Sequence, residues 1–472
     1  MSESHTYDLA VVGGGIAGLA AASRAAEQGL KVALFERGAG EQYLCNTRYS
    51  GGVLHVAFRN IKNRPEELLQ AITDATRGNA EPALARALAR TCGRAVDWLG
   101  KEGAKFVRMS QVEWQHWVLA PPRRIMPGLD WEGRGPDFML RTLAKNLASR
   151  GGRIFRATEA TALMHRNGSC IGVEARNSEG NHQFNAGAVV LADGGFQANL
   201  ELVRRHICAA PEKLKQRGAS TGVGDGLRMA QALGAEITDP DYFYGHVLSR
   251  DAFTNPKVWP YPQLDELGMA GIMVDAAGKR FADEGLGGVY LANAIAKRPD
   301  PLSTWAIFDE AIWEGPGRDA RIPANPHFAN GGGTIVKANT LKELGAQTGI
   351  PADALEATVS GYQQALASGD LARLDPPRTV ADHKPWPISR PSFYAVPVCA
   401  GITYTLGGIA IDEHGRARRP TGEPISGLYA AGSTTAGIEG RSSCTYVGGL
   451  MKGLVFGMRA AEHIAQALRL KR

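Results

Sequence analysis

Residues 8–36 contain Asp8-Leu9-Ala10-Val11-Val12-Gly13-Gly14-Gly15-Ile16-Ala17-Gly18-Leu19 and close with Lys31-Val32-Ala33-Leu34-Phe35-Glu36. The apolar run Leu9–Val12 predicts a buried parallel strand. Gly13, Gly15 and Gly18 then give the spacing of a dinucleotide turn. The first glycine makes the turn, the second admits a pyrophosphate, and the third lets helix and strand pack closely. A helix over 16–28 would aim its first N–H groups, including that of Ala17, at the phosphates. The second strand ends in Glu36, whose carboxylate can accept from ribose hydroxyls. Strand, helix, strand and acid in register predict a Rossmann-like α/β domain at the start of the chain.

Outside this unit the composition sets limits. The chain has 472 residues, 44% of them hydrophobic, and a net charge of +6. That is enough apolar material for two or three domain-sized cores. No Lys/Arg run marks a nucleic-acid face, so no nucleic-acid partner is expected. No apolar stretch reaches about 18 residues, so no transmembrane segment is expected. The apolar run at 9–12 leads straight into the glycine turn, which does not read as a secretory signal. Six scattered cysteines without a C-x-x-C pair read as reduced thiols of a cytoplasmic protein, and no metal site is expected.

Helical periodicity marks 65–76, 82–101 and 136–150, and short strands with turn signals mark a meander over 153–190. Another apolar strand, 188–191, ends in Ala192-Asp193-Gly194-Gly195. From 236 to 391 proline, aromatics and loops dominate, with helices near 287–297 and 352–368. From 392 strands return at 393–398, 402–406 and 427–431, before a long helix after Gly448-Gly449. This predicts a first domain in two parts, 1–235 and 392–472, with an α+β capping domain, 236–391, inserted between them.

Several motifs occur together: Asn46-Thr47-Arg48-Tyr49-Ser50-Gly51-Gly52, Leu191-Ala192-Asp193-Gly194-Gly195-Phe196, Gly224-Asp225-Gly226, Gly278-Lys279-Arg280-Phe281, Tyr404-Thr405-Leu406-Gly407-Gly408 and Gly427-Leu428-Tyr429-Ala430-Ala431-Gly432. With the N-terminal fingerprint they resemble, nearly end to end, the FAD-dependent fumarate reductase/succinate dehydrogenase flavoprotein family, within it the tricarballylate dehydrogenase-like branch. The resemblance implies FAD, a capped FAD-binding domain, and a substrate between the two. It assigns the ADP half to Gly13, Gly15, Ala17, Gly18, Glu36 and Arg37, with Ala160 at the adenine and Ala192, Asp193 and Gly194 against the ADP part. Asn46, Thr47, Ser50, Gly51 and Gly52 would line the isoalloxazine edge, with Asp225 near the flavin. Gly432 would face ribitol and phosphates, followed by Ser433 where relatives commonly hold glutamate. Gly449 and Leu450 would open the last helix toward flavin N1 and O2, where its positive end favours a reduced, anionic flavin. No histidine stands in 46–52, so FAD is expected to be non-covalent, with a link through Cys45 left open.

The chain departs from that pattern where the chemistry lies. In fumarate reductases an arginine follows the G-K-R-F-x-x-E glutamate by four residues; here Glu284 is followed at that distance by Gly288. Tyr404 replaces a substrate histidine, and Tyr446 a clamping arginine. A ketone or a single carboxylate therefore suits the site better than a dicarboxylate. Tyr446, Tyr404, Arg441 and His246 are the expected catalytic residues, the tyrosines to donate to a carbonyl or exchange a proton, Arg441 to supply positive charge. Arg48 and Arg134 are further candidates; Arg280 is expected to be structural, with Glu284. The expected reaction is desaturation of a C–C bond beside a carboxylate or ketone, with hydride leaving to flavin N5. An enoate reductase, a 3-ketosteroid dehydrogenase-like enzyme and a non-catalytic electron-carrying subunit are the alternatives. No second dinucleotide fingerprint appears, so an external electron acceptor, quinone-linked or iron–sulfur, is expected.

Overall fold

A computed structural model describes residues 5–124, 126, 128–320, 322–380, 383–439 and 441–470. The fingerprint folds into the strand His5–Val12, the helix Ile16–Glu27 and the strand Val32–Phe35. Leu9–Val12 run parallel to Val32–Phe35 on one side and to Ala188–Leu191 on the other. Covered on both faces, Leu9, Val11, Val32 and Leu34 are fully buried. Each such side chain contributes roughly 1.5–3 kcal/mol of transfer free energy.

The sheet continues in the order Arg416–Arg418, Pro424–Ala430, Gly180–Leu191, His5–Val12, Val32–Phe35, Arg153–Phe155. Its meander, Glu159–Arg166 and Ser169–Asn177, joins antiparallel to the first half of Gly180–Leu191. The end of the meander and the strand expected at 188–191 are thus one continuous strand, Gly180–Leu191.

The helix Ile16–Glu27 packs against the last helix, Gly449–Arg469. A Cβ on Gly457 would overlap the Ala17 carbonyl, and one on Gly453 would come 3.0 Å from the Ile16 side chain. The missing side chains let the two helices lie close, with both N-termini toward one cavity. Among the described residues no helix is long and apolar enough to cross a membrane.

A second, six-stranded sheet is built on one long strand, Phe393–Thr405. Its first half pairs with Thr304–Asp309, its second half with Phe243–Ser249, and Gly401–Ile402 also pair with Lys215–Gln216. The sequence reading groups 392–405 with the first domain and splits this strand in two. In the structure residues 393–405 belong to the second sheet, and the chain rejoins the first at Arg416–Arg418. Nearly every residue of Phe393–Thr405 is buried on both faces, so its pattern carries no preference for either sheet. Phe196, Val203 and Ile207, read as first-domain residues, also pack into the core of the second sheet.

Candidate active site

One cavity runs from the fingerprint turn to the long strand. Gly13, Gly15, Ala17, Glu36, Arg37, Asn46, Thr47, Ser50, Gly51, Ala160, Ala192, Asp193, Gly194, Asp225, Gly432, Ser433, Gly449 and Leu450 all line it. Gly18 and Gly52 lie behind the wall: a Cβ on Gly18 would overlap the Gly13 carbonyl, and one on Gly52 would meet Pro136 at 3.1 Å.

At one end the Glu36 carboxylate accepts from Gly14 N at 2.9 Å and Gly38 N at 2.8 Å. Arg37 bridges Glu159 at 3.0 Å and Asp225. Arg37 thus draws Asp225 to the Glu36 and Ala160 end of the cavity. Thr47 Oγ1 accepts from Ile16 N at 3.1 Å and so satisfies the start of the first helix. Asn46 holds Thr403 O at 3.0 Å and Ala219 N at 2.6 Å, tying the loop to the long strand. Arg48 is buried in an ion pair with Asp137 at 2.9 Å, and Arg134 pairs with Asp130 at 3.0 Å, so neither guanidinium serves the cavity. Arg280 pairs with Glu284 at 2.6 Å. Cys45 reaches the cavity as a thiol whose pKa burial raises, against the pull of Arg48.

The residues present fit a dinucleotide. A Cβ on Gly15 would meet only Thr47 Oγ1, at 3.5 Å, and would otherwise project into open cavity. Asp193 Oδ1 and Gln197 Oε1 are buried without a hydrogen-bond partner among the described residues, and both residues line the cavity. Burial pushes the Asp193 carboxyl up to about 6, against the hydrogen bond its other oxygen accepts from Gly226 N at 2.7 Å.

The other end is aromatic. Tyr404 and Tyr446 face the cavity together with Tyr244 and Tyr261. Tyr244 lies directly opposite Tyr404 in the strand ladder and stacks on Tyr446 with centroids 4.3 Å apart. The Tyr404 hydroxyl donates to Glu439 Oε1 at 2.8 Å, and Glu439 Oε2 accepts from Lys452 Nζ at 2.9 Å, all three residues being buried. Committed this way, Tyr404 presents only an acceptor lone pair to the cavity, which corrects its expected role as a donor. Tyr446 has no hydrogen-bond acceptor among the described residues. Burial and the Glu439 charge hold its phenol protonated.

His246 does not line the cavity. Its Nδ1 meets the Asp265 carboxylate, and its Nε2 lies 2.9 Å from Tyr244 Oη. Arg441 is also absent from the lining: its side chain is 65% exposed and faces Asp239 at 3.7 Å. Five residues from Tyr446 in sequence, it leaves the site because the turn between them points it outward. A cation that does reach the cavity, as Arg37 and Arg123 also do, is Arg217, which the sequence did not single out. It is buried, donates to Thr403 Oγ1 at 2.9 Å, and keeps its Nε without a partner among the described residues. Tyr244 was missed as well, although on a strand it must share a face with His246, two residues on.

A glycine turn at a helix N-terminus, a ribose-side carboxylate and a second helix N-terminus at the far end of one cavity define an FAD-binding flavoprotein. The chain belongs to the FAD binding domain family, whose model matches residues 8–443. It is 32% identical over 346 residues to 3-oxosteroid 1-dehydrogenase of Mycobacterium tuberculosis, covering 65% of this chain but only 59% of that protein. It is 26% identical to the fumarate reductase (cytochrome) of Shewanella frigidimarina, over 98% of this chain and 77% of that one. The fold matches that of 3-ketosteroid Δ4-(5α)-dehydrogenase from Rhodococcus jostii in complex with 4-androstene-3,17-dione, with a TM-score of 0.73 at 22% identity over 98% of both chains.

Proposed function

We propose that the protein is a dehydrogenase that introduces a C=C bond beside a ketone carbonyl. The observation that carries this reading is Tyr446, half-buried and facing the cavity, its ring stacked on Tyr244 in a wall shared with Tyr261 and Tyr404. FAD, when bound, takes the hydride from the carbon β to the carbonyl. The chain's own residues manage the rest. Tyr446 donates to the carbonyl oxygen, where negative charge develops as the α proton leaves. A phenol kept neutral by burial remains a donor throughout the physiological pH range. The N-terminus of Gly449–Arg469, at the same cavity, favours negative charge nearby. The aromatic wall suits an apolar body next to the carbonyl.

A tricarboxylate substrate, which the branch resemblance suggests, has less support. Of the three arginines on the cavity, Arg37 is paired with Glu159 and Asp225, Arg123 and Arg217 both lie over the ring of Tyr261, and Arg123 donates to backbone carbonyls. Arg217 Nε, without a partner among the described residues, is a donor for one carboxylate or a second carbonyl. Electrons would leave to an external carrier.

Anaerobic stopped-flow tests the reading. Oxidised holoenzyme mixed with 4-androstene-3,17-dione is expected to lose its flavin absorbance, and with succinate or tricarballylate to keep it. Bleaching by succinate or tricarballylate alone would overturn the ketone assignment. Reoxidation of the reduced enzyme by fumarate, without any reaction of the ketone, would make the protein a reductase.

A further inference from the structure

The chain lacks the arginine that the reductase pattern places four residues after Glu284, and the structure shows what stands there instead. Gly288 opens the helix Gly288–Ala296, and a Cβ on it would overlap the carboxylate carbon of Asp265. The Asp265 carboxylate thus occupies space that any larger residue at 288 would claim. Its Oδ1 accepts from Val247 N at 2.7 Å and its Oδ2 faces His246 Nδ1. On the other side of the imidazole, Nε2 lies 2.9 Å from the hydroxyl of Tyr244, whose ring forms part of the cavity wall. Three side chains from two strand positions and one helix start are in line, ending at the cavity.

We infer that Asp265, His246 and Tyr244 form a proton relay that exchanges the substrate's α proton with the protein interior. This rests on the desaturation proposed above. The carboxylate fixes the Nδ1–H tautomer, which leaves Nε2 as an acceptor, in the manner of an acid–imidazole–hydroxyl triad. In desaturation the Cα–H bond breaks and its proton joins Tyr244 Oη, while the phenol's own proton passes to His246 Nε2. The electron pair of that bond forms the new C=C as hydride leaves the neighbouring carbon for FAD, the oxidant. In alkene reduction every arrow reverses. Tyr244 touches the substrate; His246 takes the proton from Tyr244; Asp265 is a positioning residue.

The surroundings suit a neutral imidazole. Burial lowers the His246 pKa and Arg217 acts in the same direction, while Asp265 opposes both. Burial, Tyr446, Tyr261 and Asp265 all raise the Tyr244 pKa and Arg217 lowers it. A standing phenolate is therefore disfavoured, and a phenol that gives one proton while taking another avoids it.

Two measurements on holoenzyme test the relay. The first needs no substrate: side-chain 15N shifts of His246 in histidine-labelled protein. Nδ1 protonated and Nε2 bare at pH 7, changed in Asp265→Asn, is the expected result. Nε2 protonated at pH 7 would overturn the relay whatever the reaction is. The second is the rate of flavin bleaching by 4-androstene-3,17-dione. Tyr244→Phe and His246→Gln are expected to slow it about 10²-fold with the flavin spectrum intact, and Asp265→Glu to recover part of what Asp265→Asn loses. Wild-type rates in Tyr244→Phe would refute the relay while leaving the desaturation standing. If the ketone is inert and an enoate reoxidises reduced enzyme, the desaturation falls, and the same variants are read on reoxidation, where a tenfold or greater loss supports the relay and no loss refutes it.

Discussion

Tyr244 and Tyr446 stack with ring planes 22° apart, yet their hydroxyls are committed differently. Tyr244 is held by His246 Nε2 at 2.9 Å, whereas Tyr446 has no acceptor among the described residues. One phenol is wired to a titrating group and the other is free to donate. On the proposed reaction they divide the work at one carbonyl: Tyr446 at oxygen and Tyr244 at the α carbon.

Tyr446→Phe removes the donor and keeps the ring, which also packs on His55 at 5.4 Å. Turnover is expected to fall about 10²-fold or more, with flavin content and thermal stability close to wild type. Steady-state kinetics with the ketone check this, and unchanged kcat/KM would remove Tyr446 from the chemistry.

The Glu439–Lys452 pair is a stability element beneath the site, with side chains 0% and 2% exposed. Lys452→Met leaves a buried carboxylate with Tyr404 as its remaining partner, and is expected to cost about 3–5 kcal/mol. Glu439→Gln/Lys452→Met removes both charges and should recover much of that loss. Urea denaturation of the two variants measures the difference; equal destabilisation would show that the uncompensated charge is not the cause.

The fingerprint half of this molecule was legible because its demands are local: period, glycine spacing and a terminal acid fix strand, turn and helix within thirty residues. The strand Phe393–Thr405 was not, because a run buried on both faces looks the same in either sheet. The same limit hid the chemistry. Tyr404 and Tyr446 could be found by position within motifs, but Tyr244 becomes a partner only through ladder register with Tyr404, and Asp265 only through the space left at Gly288. Arg441 misled for the reverse reason. Its sequence distance from Tyr446 is short, but a turn decides direction, and spacing does not show it.

Asp193 sets a pH window for the protein without its cofactor. Its folded pKa, about 6, lies above the ordinary aspartate value of 3.8. Between those values the folded state binds more protons than the unfolded state, so stability falls as pH rises from about 4 to about 6 and levels off beyond. Asp193→Asn should flatten that slope. Urea midpoints of apoprotein at pH 4.5 and 7 are the test, and an unchanged pH difference in the variant would assign the slope to other groups.

Gly288→Ala separates helix propensity from site geometry. Alanine at the start of Gly288–Ala296 would by itself favour the helix, by up to about 1 kcal/mol. The added methyl, however, would claim the position of the Asp265 carboxylate carbon. Asp265 must then turn away from His246, and Nδ1 loses the partner that fixes its tautomer. The expected variant folds, binds flavin, and turns over at least tenfold more slowly, with His246 15N shifts moved toward those of Asp265→Asn. Wild-type turnover in a folded Gly288→Ala protein would mean that the carboxylate has room to spare, and that the glycine is there for the helix and not for the relay.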